Sequence, residues 1–141
     1  MSYNNSATNI GINSTVSCNN ITVTGSNINL TSSGRLMLNG NISSDGSMET
    51  INFTGNLDFI SGNTGNTIDF GGTTLGADLN FVHTAGAWTV VNNKLATIKN
   101  VYINGGTLNT NGQNFELNGL FSSNNSPRAL NLANSVVSVS G

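Results

Sequence analysis

The fold of this chain is decided by a short motif that recurs as Leu36-Met37-Leu38, Leu57-Asp58-Phe59, Leu79-Asn80-Phe81 and Val101-Tyr102-Ile103. Both ends of each triplet are apolar, and in the last three the middle residue is more polar. In a β-strand, successive side chains point to opposite faces, so the two ends share one face and the middle residue takes the other. The pattern therefore predicts short strands that are buried on one side.

The spacing of these triplets gives the length of a structural repeat, because their starting positions 36, 57, 79 and 101 are nearly evenly spaced. A second series interleaves with the first and starts at Ile28, Ile51, Ile68, Trp88, Leu108 and Leu130. Recurrence at such a period is typical of solenoids, in which each repeat packs only on its neighbours. We predict an all-β, parallel β-helix of about six coils, with about 20–22 residues per coil, two clear strands and a weaker third.

Asn-Gly pairs mark the expected corners of the coil, at Asn39-Gly40, Asn104-Gly105, Asn111-Gly112 and Asn118-Gly119. Gly adopts a positive φ freely, and Asn does so at low cost. The same dipeptide also suits the tight turns of antiparallel hairpins. An antiparallel β-sandwich is therefore the alternative fold, and the short, evenly recurring strands favour the solenoid.

The whole chain, residues 1–141, is interpreted as a single β-solenoid segment. Residues 1–9 are polar enough to form the N-terminal cap that a solenoid needs. The stretch 137–141 follows a strand directly and shows no comparable cap. We therefore expect the C-terminus to continue in a longer protein, and the remainder of that solenoid or multidomain protein is the main partner we expect.

The composition argues against several classes of function. Only 7% of the residues are charged, and the four basic residues cannot form the basic stripe that binds nucleic acid. No apolar run approaches the roughly 18 residues of a membrane helix, so we expect no membrane insertion. Cys18 and His83 are the only residues of their types, and we expect Cys18 to fill space in the core and His83 to lie in a surface turn. We expect neither a cofactor nor a bound metal.

Candidate contact residues come from the outward positions of the triplets. Asp58, Asn80 and Tyr102 are evenly spaced along the chain and should stack on one outer face of the rod. An outward Asp beside Asn residues could hold Ca²⁺, but neighbouring coils do not repeat the Asp, and we expect a solvated surface acid instead. Tyr102 could stack on a sugar ring. We take these three residues as candidate surface or glycan contacts, and we expect Trp88 and the Phe residues at strand ends to lie in the core.

From Ala87 onward the chain carries a characteristic order of motifs, in the segments 87–90, 106–114, 120–124, 128–132 and 137–141. Together they resemble the Asn/Ser/Thr-rich repeats of large Bacteroidetes cell-surface proteins, adhesin-like or gliding-associated, that are exported by type IX secretion. The resemblance implies an extracellular, surface-attached protein with a right-handed β-helix. It carries over no catalytic residues.

We therefore predict a non-catalytic structural or adhesive segment of a bacterial cell-surface or secreted protein. It would act as a rigid stalk, or as a module that contacts glycans or abiotic surfaces. One alternative is a fragment of a β-helix carbohydrate-active enzyme, which needs clustered acids flanking the scissile bond. The other is an ice- or mineral-binding solenoid, which needs Thr-x-Thr at the same position of successive coils.

Overall fold

The computed structural model describes residues 2–4, 8–24, 28–45, 48–53, 55–71, 74–92 and 98–141. This part of the chain consists of strands, bends and turns, and it contains no helix. In chain order the strands are β1 Ser2–Asn4, β2 Thr8–Ile12, β3 Val16–Cys18, β4 Ile21–Thr24, β5 Ile28–Ser32, β6 Leu36–Leu38, β7 Ile42–Ser44, β8 Met48–Phe53, β9 Asn56–Phe59, β10 Asn66–Asp69, β11 Thr74–Leu75, β12 Asp78–Phe81, β13 Ala87–Asn92, β14 Ile98–Ile103, β15 Gly106–Asn109, β16 Phe115–Phe121, β17 Arg128–Asn131 and β18 Val137–Val139.

The strands wind as a coil with three faces. Face 1 stacks β1, β4, β7, β10, β13, β15 and β17. Face 2 holds β2, β5, β8, β11 and β18, and face 3 holds β3, β6, β9 and β12. Strands β14 and β16 run through the corner between faces 2 and 3, so these two faces form one continuous sheet of 11 strands.

Each pairing between the described strands is parallel. A parallel pair cannot be joined by a tight hairpin, because the chain must travel back before it can add the next strand. Here the chain passes through the other two faces of the coil before it adds the next strand to the same face. The chain is therefore a parallel β-solenoid, as the triplet pattern predicts, and the antiparallel sandwich is not supported.

The first triplet series is confirmed by the register of face 3. Leu36 aligns with Leu57, Leu57 with Leu79, and Leu79 with Val101. The second series mixes two faces. Ile51 aligns with Leu30 on face 2, whereas Trp88 aligns with Leu108 on face 1. The series changes face at its shortest step, which lies between Ile51 and Ile68.

The prediction of about six coils is not matched. Four turns, β1–β3, β4–β6, β7–β9 and β10–β12, have a separate strand on each of the three faces, whereas β14 and β16 later run through the corner between faces 2 and 3. The triplet pattern also missed β1, because its sequence Ser-Tyr-Asn has no apolar ends. It pairs with β4 in parallel register. The proposal that residues 1–9 form a cap stays a prediction, since the side chains of these nine residues lie outside the described part of the chain.

The core is a column of inward side chains that lies between the three faces. The rings of Phe59 and Phe81, one coil apart, are stacked with centroids 4.6 Å apart and planes 6° from parallel. Trp88 packs its ring edge-on against both, at 5.7 and 5.5 Å. All three side chains are fully buried, and Phe70 is buried as well. The predicted aromatic core is thus confirmed for these residues, while the side chain of Phe53 lies outside the described part.

Three of the four Asn-Gly pairs, Asn39-Gly40, Asn104-Gly105 and Asn111-Gly112, lie in bends or turns between strands as predicted. Asn118-Gly119 also lies at a corner, but inside β16, at the point where that strand passes from face 2 to face 3. Gly is required there for a different reason. A Cβ on Gly119 would come within 2.5 Å of the Phe121 ring, so Gly119 makes room for that side chain.

One corner geometry is repeated where strands of face 1 end. The side-chain oxygen of an Asp or Asn accepts a hydrogen bond from the backbone N–H two residues later, and that later residue has a positive φ. The pairs are Asp69 with Gly71, Asn109 with Asn111 and Asn131 with Ala133, at 2.8, 2.9 and 3.1 Å, and the φ values are 62°, 53° and 49°.

Replacing Ala133 by Gly should stabilise the protein. A residue with a Cβ is strained at a φ of 49°, and relief of that strain by about 1–2 kcal/mol exceeds the added unfolded-state entropy of Gly, about 0.5–1 kcal/mol. We expect a net gain of up to about 1 kcal/mol in the free energy of unfolding, measured by urea denaturation.

The matched control is Ala129→Gly, which makes the same substitution inside β17. Ala129 is not among the positive-φ residues, so Gly should destabilise the strand there by about 0.5–1 kcal/mol. Equal effects of the two substitutions would contradict the corner geometry.

Candidate functional site

A row of outward side chains runs along the outer surface of face 3. Strand register aligns Met37 with Asp58, Asp58 with Asn80, Asn80 with Tyr102, and Tyr102 with Phe121. Adjacent members are therefore one strand spacing apart, about 4.8 Å. The predicted stacking of Asp58, Asn80 and Tyr102 is confirmed, and we call the set Met37, Asp58, Asn80, Tyr102 and Phe121 the face-3 row.

Asp58 is not the solvated surface acid that the sequence predicted. Its side chain is 0% exposed, although it points away from the core. The Arg35 guanidinium from the preceding coil forms an ion pair and a hydrogen bond with Oδ2, and Asn80 Nδ2 donates to Oδ1 at 3.0 Å. Because a buried carboxylate needs a paired charge and hydrogen-bond donors, Arg35 and Asn80 together make this burial stable.

A second acid on face 3, Asp78, is paired in a similar way. Asn100 Nδ2 donates to Asp78 Oδ1 at 2.8 Å, and Lys99 Nζ lies 3.9 Å from Oδ2. The side chain of Asp78 is 18% exposed and that of Lys99 is 50% exposed. Asp58 and Asp78 are thus each paired with a cation, so the negative charges of these two carboxylates are compensated within the protein.

Tyr102 and Phe121 form a stacked aromatic pair at the C-terminal end of the face-3 row. Their ring centroids are 4.9 Å apart and the planes are 16° from parallel. The stack occupies one face of the Tyr102 ring, while Phe121 is 44% exposed. A sugar that stacks at this end therefore has Phe121 as its accessible ring.

Sequence reasoning missed both Arg35 and Phe121 as members of this surface. Phe121 follows Tyr102 at a shorter step than the one that separates Asp58, Asn80 and Tyr102, so it breaks the even spacing that identified the others. Arg35 belongs to the coil before Asp58 and reaches it diagonally from the neighbouring outward position. The available signal was that Arg35 directly precedes a triplet of the first series.

The outward row on face 1 mixes amides and hydroxyl groups. Thr67 aligns with Thr89, and Thr89 aligns with Asn109, which aligns with Asn131. At its other end, Asn41 Oδ1 accepts a hydrogen bond from the Thr67 backbone N–H at 2.7 Å. In this row the two Thr residues have Asn neighbours, so it does not form the regular Thr array that an ice-binding surface requires.

The single His and Cys lie where the sequence predicted. His83 is exposed in a turn, and its Nδ1 accepts a hydrogen bond from the Ala85 backbone N–H at 3.2 Å. Cys18 is half-buried and packs against the core, and burial raises the pKa of its thiol. Within the described residues, no three His, Cys, Asp or Glu side chains come together as metal ligands.

A solvent-open cleft of about 500 Å³ lies at the corner between β16 and β17. Its floor is apolar and is formed by Ile103, Leu120 and Leu130. The loop of residues 122–127 covers one side. That loop is anchored to the coil before it, because Asn124 Nδ2 donates to the Asn104 carbonyl oxygen at 2.8 Å.

Comparison of the chain with protein-family models, with curated proteins and with solved structures finds no match. No helix in the described part of the chain is long and apolar enough to cross a membrane. The function must therefore be argued from the geometry of the face-3 row.

Removing Arg35 should destabilise the protein because it leaves a buried carboxylate without its cation. For Arg35→Gln we expect a loss of about 1–3 kcal/mol, below the roughly 3–5 kcal/mol of a fully buried pair, since the Arg35 side chain is itself 52% exposed. Asp58→Asn should cost less, because no buried charge remains. Urea denaturation of both variants measures the difference.

The double variant Arg35→Gln/Asp58→Asn should be no less stable than Asp58→Asn alone, because Arg35 has lost its partner in both. Lys99→Gln is the control, since exposed pairs contribute only about 0–1 kcal/mol. Additive losses from Arg35→Gln and Asp58→Asn would show that the pair does not couple.

Proposed function

We propose that this chain is a non-catalytic structural and adhesive segment of a bacterial cell-surface or secreted protein. In this proposal it is a right-handed coil within a longer solenoid or multidomain protein, exported by type IX secretion in a Bacteroidetes species and located outside the cell. It acts as a stiff stalk whose outer surface makes weak, repeated contacts with glycans or abiotic surfaces.

The observation that carries the proposal is that two acidic side chains of face 3 are bound by other side chains of the protein. Asp58 and Asp78 are held by Arg35, Asn80, Asn100 and Lys99. A carboxylate engaged in this way has fewer lone pairs left for a substrate or for a bound cation. These acids therefore support the structure, and this favours a stalk over the carbohydrate-active enzyme.

Stiffness follows from the same geometry. Parallel backbone ladders join each coil to the next on all three faces, and most residues that contact each other are far apart in the sequence. Bending the rod would have to break ladder hydrogen bonds on one side and compress the core on the other. A stalk with few charges also experiences little electrostatic repulsion along its length.

The adhesive part of the proposal rests on the accessible members of the face-3 row. Asp58 is covered, so contact with a glycan falls to the Asn80 amide and to the Tyr102–Phe121 pair. Amides donate and accept hydrogen bonds with sugar hydroxyl groups, and aromatic rings pack on the apolar faces of sugars. Individually weak contacts of this kind gain strength when a polymer engages several of them.

The proposal is tested by binding of the protein to insoluble polysaccharides and to a glycan array, with Asn80→Ala/Tyr102→Ala as the variant. Loss of a hydrogen bond and of the ordered aromatic pair should weaken binding about tenfold. The matched control is Thr67→Ala/Thr89→Ala, which changes the outward row on face 1 and should bind like the unsubstituted protein.

A reducing-sugar assay on the same polysaccharides separates adhesion from catalysis, and we expect no release of sugar. Equal binding by the face-3 and face-1 variants would contradict the adhesive role of the row. Release of reducing sugar by the unsubstituted protein would contradict the non-catalytic assignment.

A further inference from the structure

The four Asn-Gly pairs of the chain share a chemical reactivity that the fold exposes to different degrees. In such a pair the backbone nitrogen of the Gly can attack the side-chain amide carbon of the Asn, because Gly has no Cβ to hinder the approach. A C–N bond forms, ammonia leaves, and water then opens the resulting five-membered imide. The product is an aspartate, or an isoaspartate whose backbone runs through the former side chain.

Three of the four pairs are held by the coil. Gly105 is buried, and its N–H, which contains the attacking nitrogen, donates to the Phe81 carbonyl oxygen at 3.0 Å. Gly119 is buried inside β16 and is aligned with a residue of β14. Gly40 is buried against the preceding coil, because a Cβ there would lie 2.4 Å from Asn20 Oδ1. In these three pairs the imide ring can close only after part of a coil opens.

The fourth pair, Asn111-Gly112, is exposed at the corner that follows β15. The two residues have φ values of 53° and 75° and lie in the centre of a turn, which the Gln113 N–H closes by donating to the Thr110 carbonyl oxygen at 2.9 Å. Among the described residues, neither the Asn111 side chain nor the Gly112 N–H has a hydrogen-bond partner. No described atom lies within 4 Å of the position that a Cβ on Gly112 would take. The attacking nitrogen and its target are therefore both accessible.

The exposure of this corner does not depend on how the solenoid continues. The next coil already forms the equivalent turn, in which the Ser135 N–H donates to the Leu132 carbonyl oxygen at 2.8 Å and Ala133 has the positive φ. Asn111 and Gly112 are thus exposed although the corresponding turn of the next coil is in place.

Closing the imide ring requires a rotation of the Gly112 peptide about the Asn111 Cα–C bond, which brings the nitrogen to the side-chain carbon. In this turn the rotation breaks one described backbone hydrogen bond, from Gln113 to Thr110. A single neutral hydrogen bond contributes little to stability. Opening of the turn is therefore frequent compared with opening of a coil.

We infer that Asn111 is a site of slow, self-catalysed deamidation in the folded protein, and that the fold directs the reaction to this pair among the four. The reaction needs water and no other chain. It places a new carboxylate at a corner of face 1, next to Thr110, whose buried hydroxyl donates to the carbonyl oxygens of Asn131 and Leu132 in the next coil. The isoaspartate product also has a backbone one methylene longer at this corner. This inference is independent of the adhesive role, because it uses no residue of the face-3 row.

The test is to incubate the unsubstituted protein in mildly alkaline buffer, where the attacking nitrogen loses its proton more readily, and to follow each pair by peptide mapping with mass spectrometry. Deamidation raises the peptide mass, and electron-transfer fragmentation identifies isoaspartate and its position. We expect Asn111 to react at least about tenfold faster than Asn39, Asn104 and Asn118, since each of these pairs must first lose packing or a backbone hydrogen bond.

The same measurement in urea separates the effect of the fold from that of the sequence. Each of the four Asn residues directly precedes a Gly, so in the unfolded chain we expect similar rates at all four pairs. The lead of Asn111 should therefore disappear when the protein unfolds.

Asn111→Gly removes the amide and tolerates the positive φ, so it should abolish the fast release of ammonia by the folded protein. The matched control is Asn39→Ser, which removes the exposed Asn of another pair and should release ammonia as fast as the unsubstituted protein. A folded protein in which Asn111 reacts no faster than the other three Asn residues would overturn the proposal. A lead of the same size in urea would overturn it as well, as would fast ammonia release by Asn111→Gly.

Discussion

The structure depends on one constraint, which is that parallel strands one coil apart stay in register. A strand of three or four residues has too few contacts to be stable alone. Here each strand inside a sheet exchanges backbone hydrogen bonds with the strands above and below it. Its inward residues pack on their counterparts, as Phe59 does on Phe81 at 4.6 Å. A shift of one residue in any strand would move its apolar side chains to the outer surface. The apolar triplets and the register therefore stabilise each other.

The same register also determines the outer surface. Because Leu57 aligns with Leu79, the neighbouring outward residues Asp58 and Asn80 must also align, and this alignment supplies one of the two partners of the buried carboxylate. Arg35 supplies the other from the coil before. The stacked rings of Tyr102 and Phe121 arise in the same way. Where the chain leaves the strand pattern between β16 and β17, the loop of residues 122–127 creates the cleft.

Much of this architecture could be predicted from the sequence, because the even spacing of the triplets and the alternation within them can be read directly from the residues. The face-3 register and the alignment of Asp58, Asn80 and Tyr102 follow directly from these signals. The assignment of Ile28 and Ile51 to the same series as Trp88 failed, since triplets on faces 1 and 2 have the same apolar pattern and only pairing distinguishes them. The strand β1 was missed because its sequence lacks apolar ends.

The candidate site was harder to predict for a physical reason. Burial of Asp58 depends on a side chain that reaches diagonally from the preceding coil, and no periodic rule places Arg35 there. Phe121 belongs to a coil of a different length, so its alignment with Tyr102 breaks the even spacing of the row. The cleft depends on how the loop at 122–127 folds against Asn104, which composition does not reveal.

The most direct test of the account is the pattern of nuclear Overhauser effects between backbone protons of different strands. In parallel stacking, the two residue numbers of each contact keep a constant difference, so we expect contacts that pair position 57 with 79, 58 with 80 and 59 with 81. The next strand should continue the pattern with 79 and 101, and with 80 and 102. In an antiparallel arrangement the sum of the two numbers stays constant instead. A set of contacts with constant sums across these strands would contradict the solenoid and everything inferred from its register.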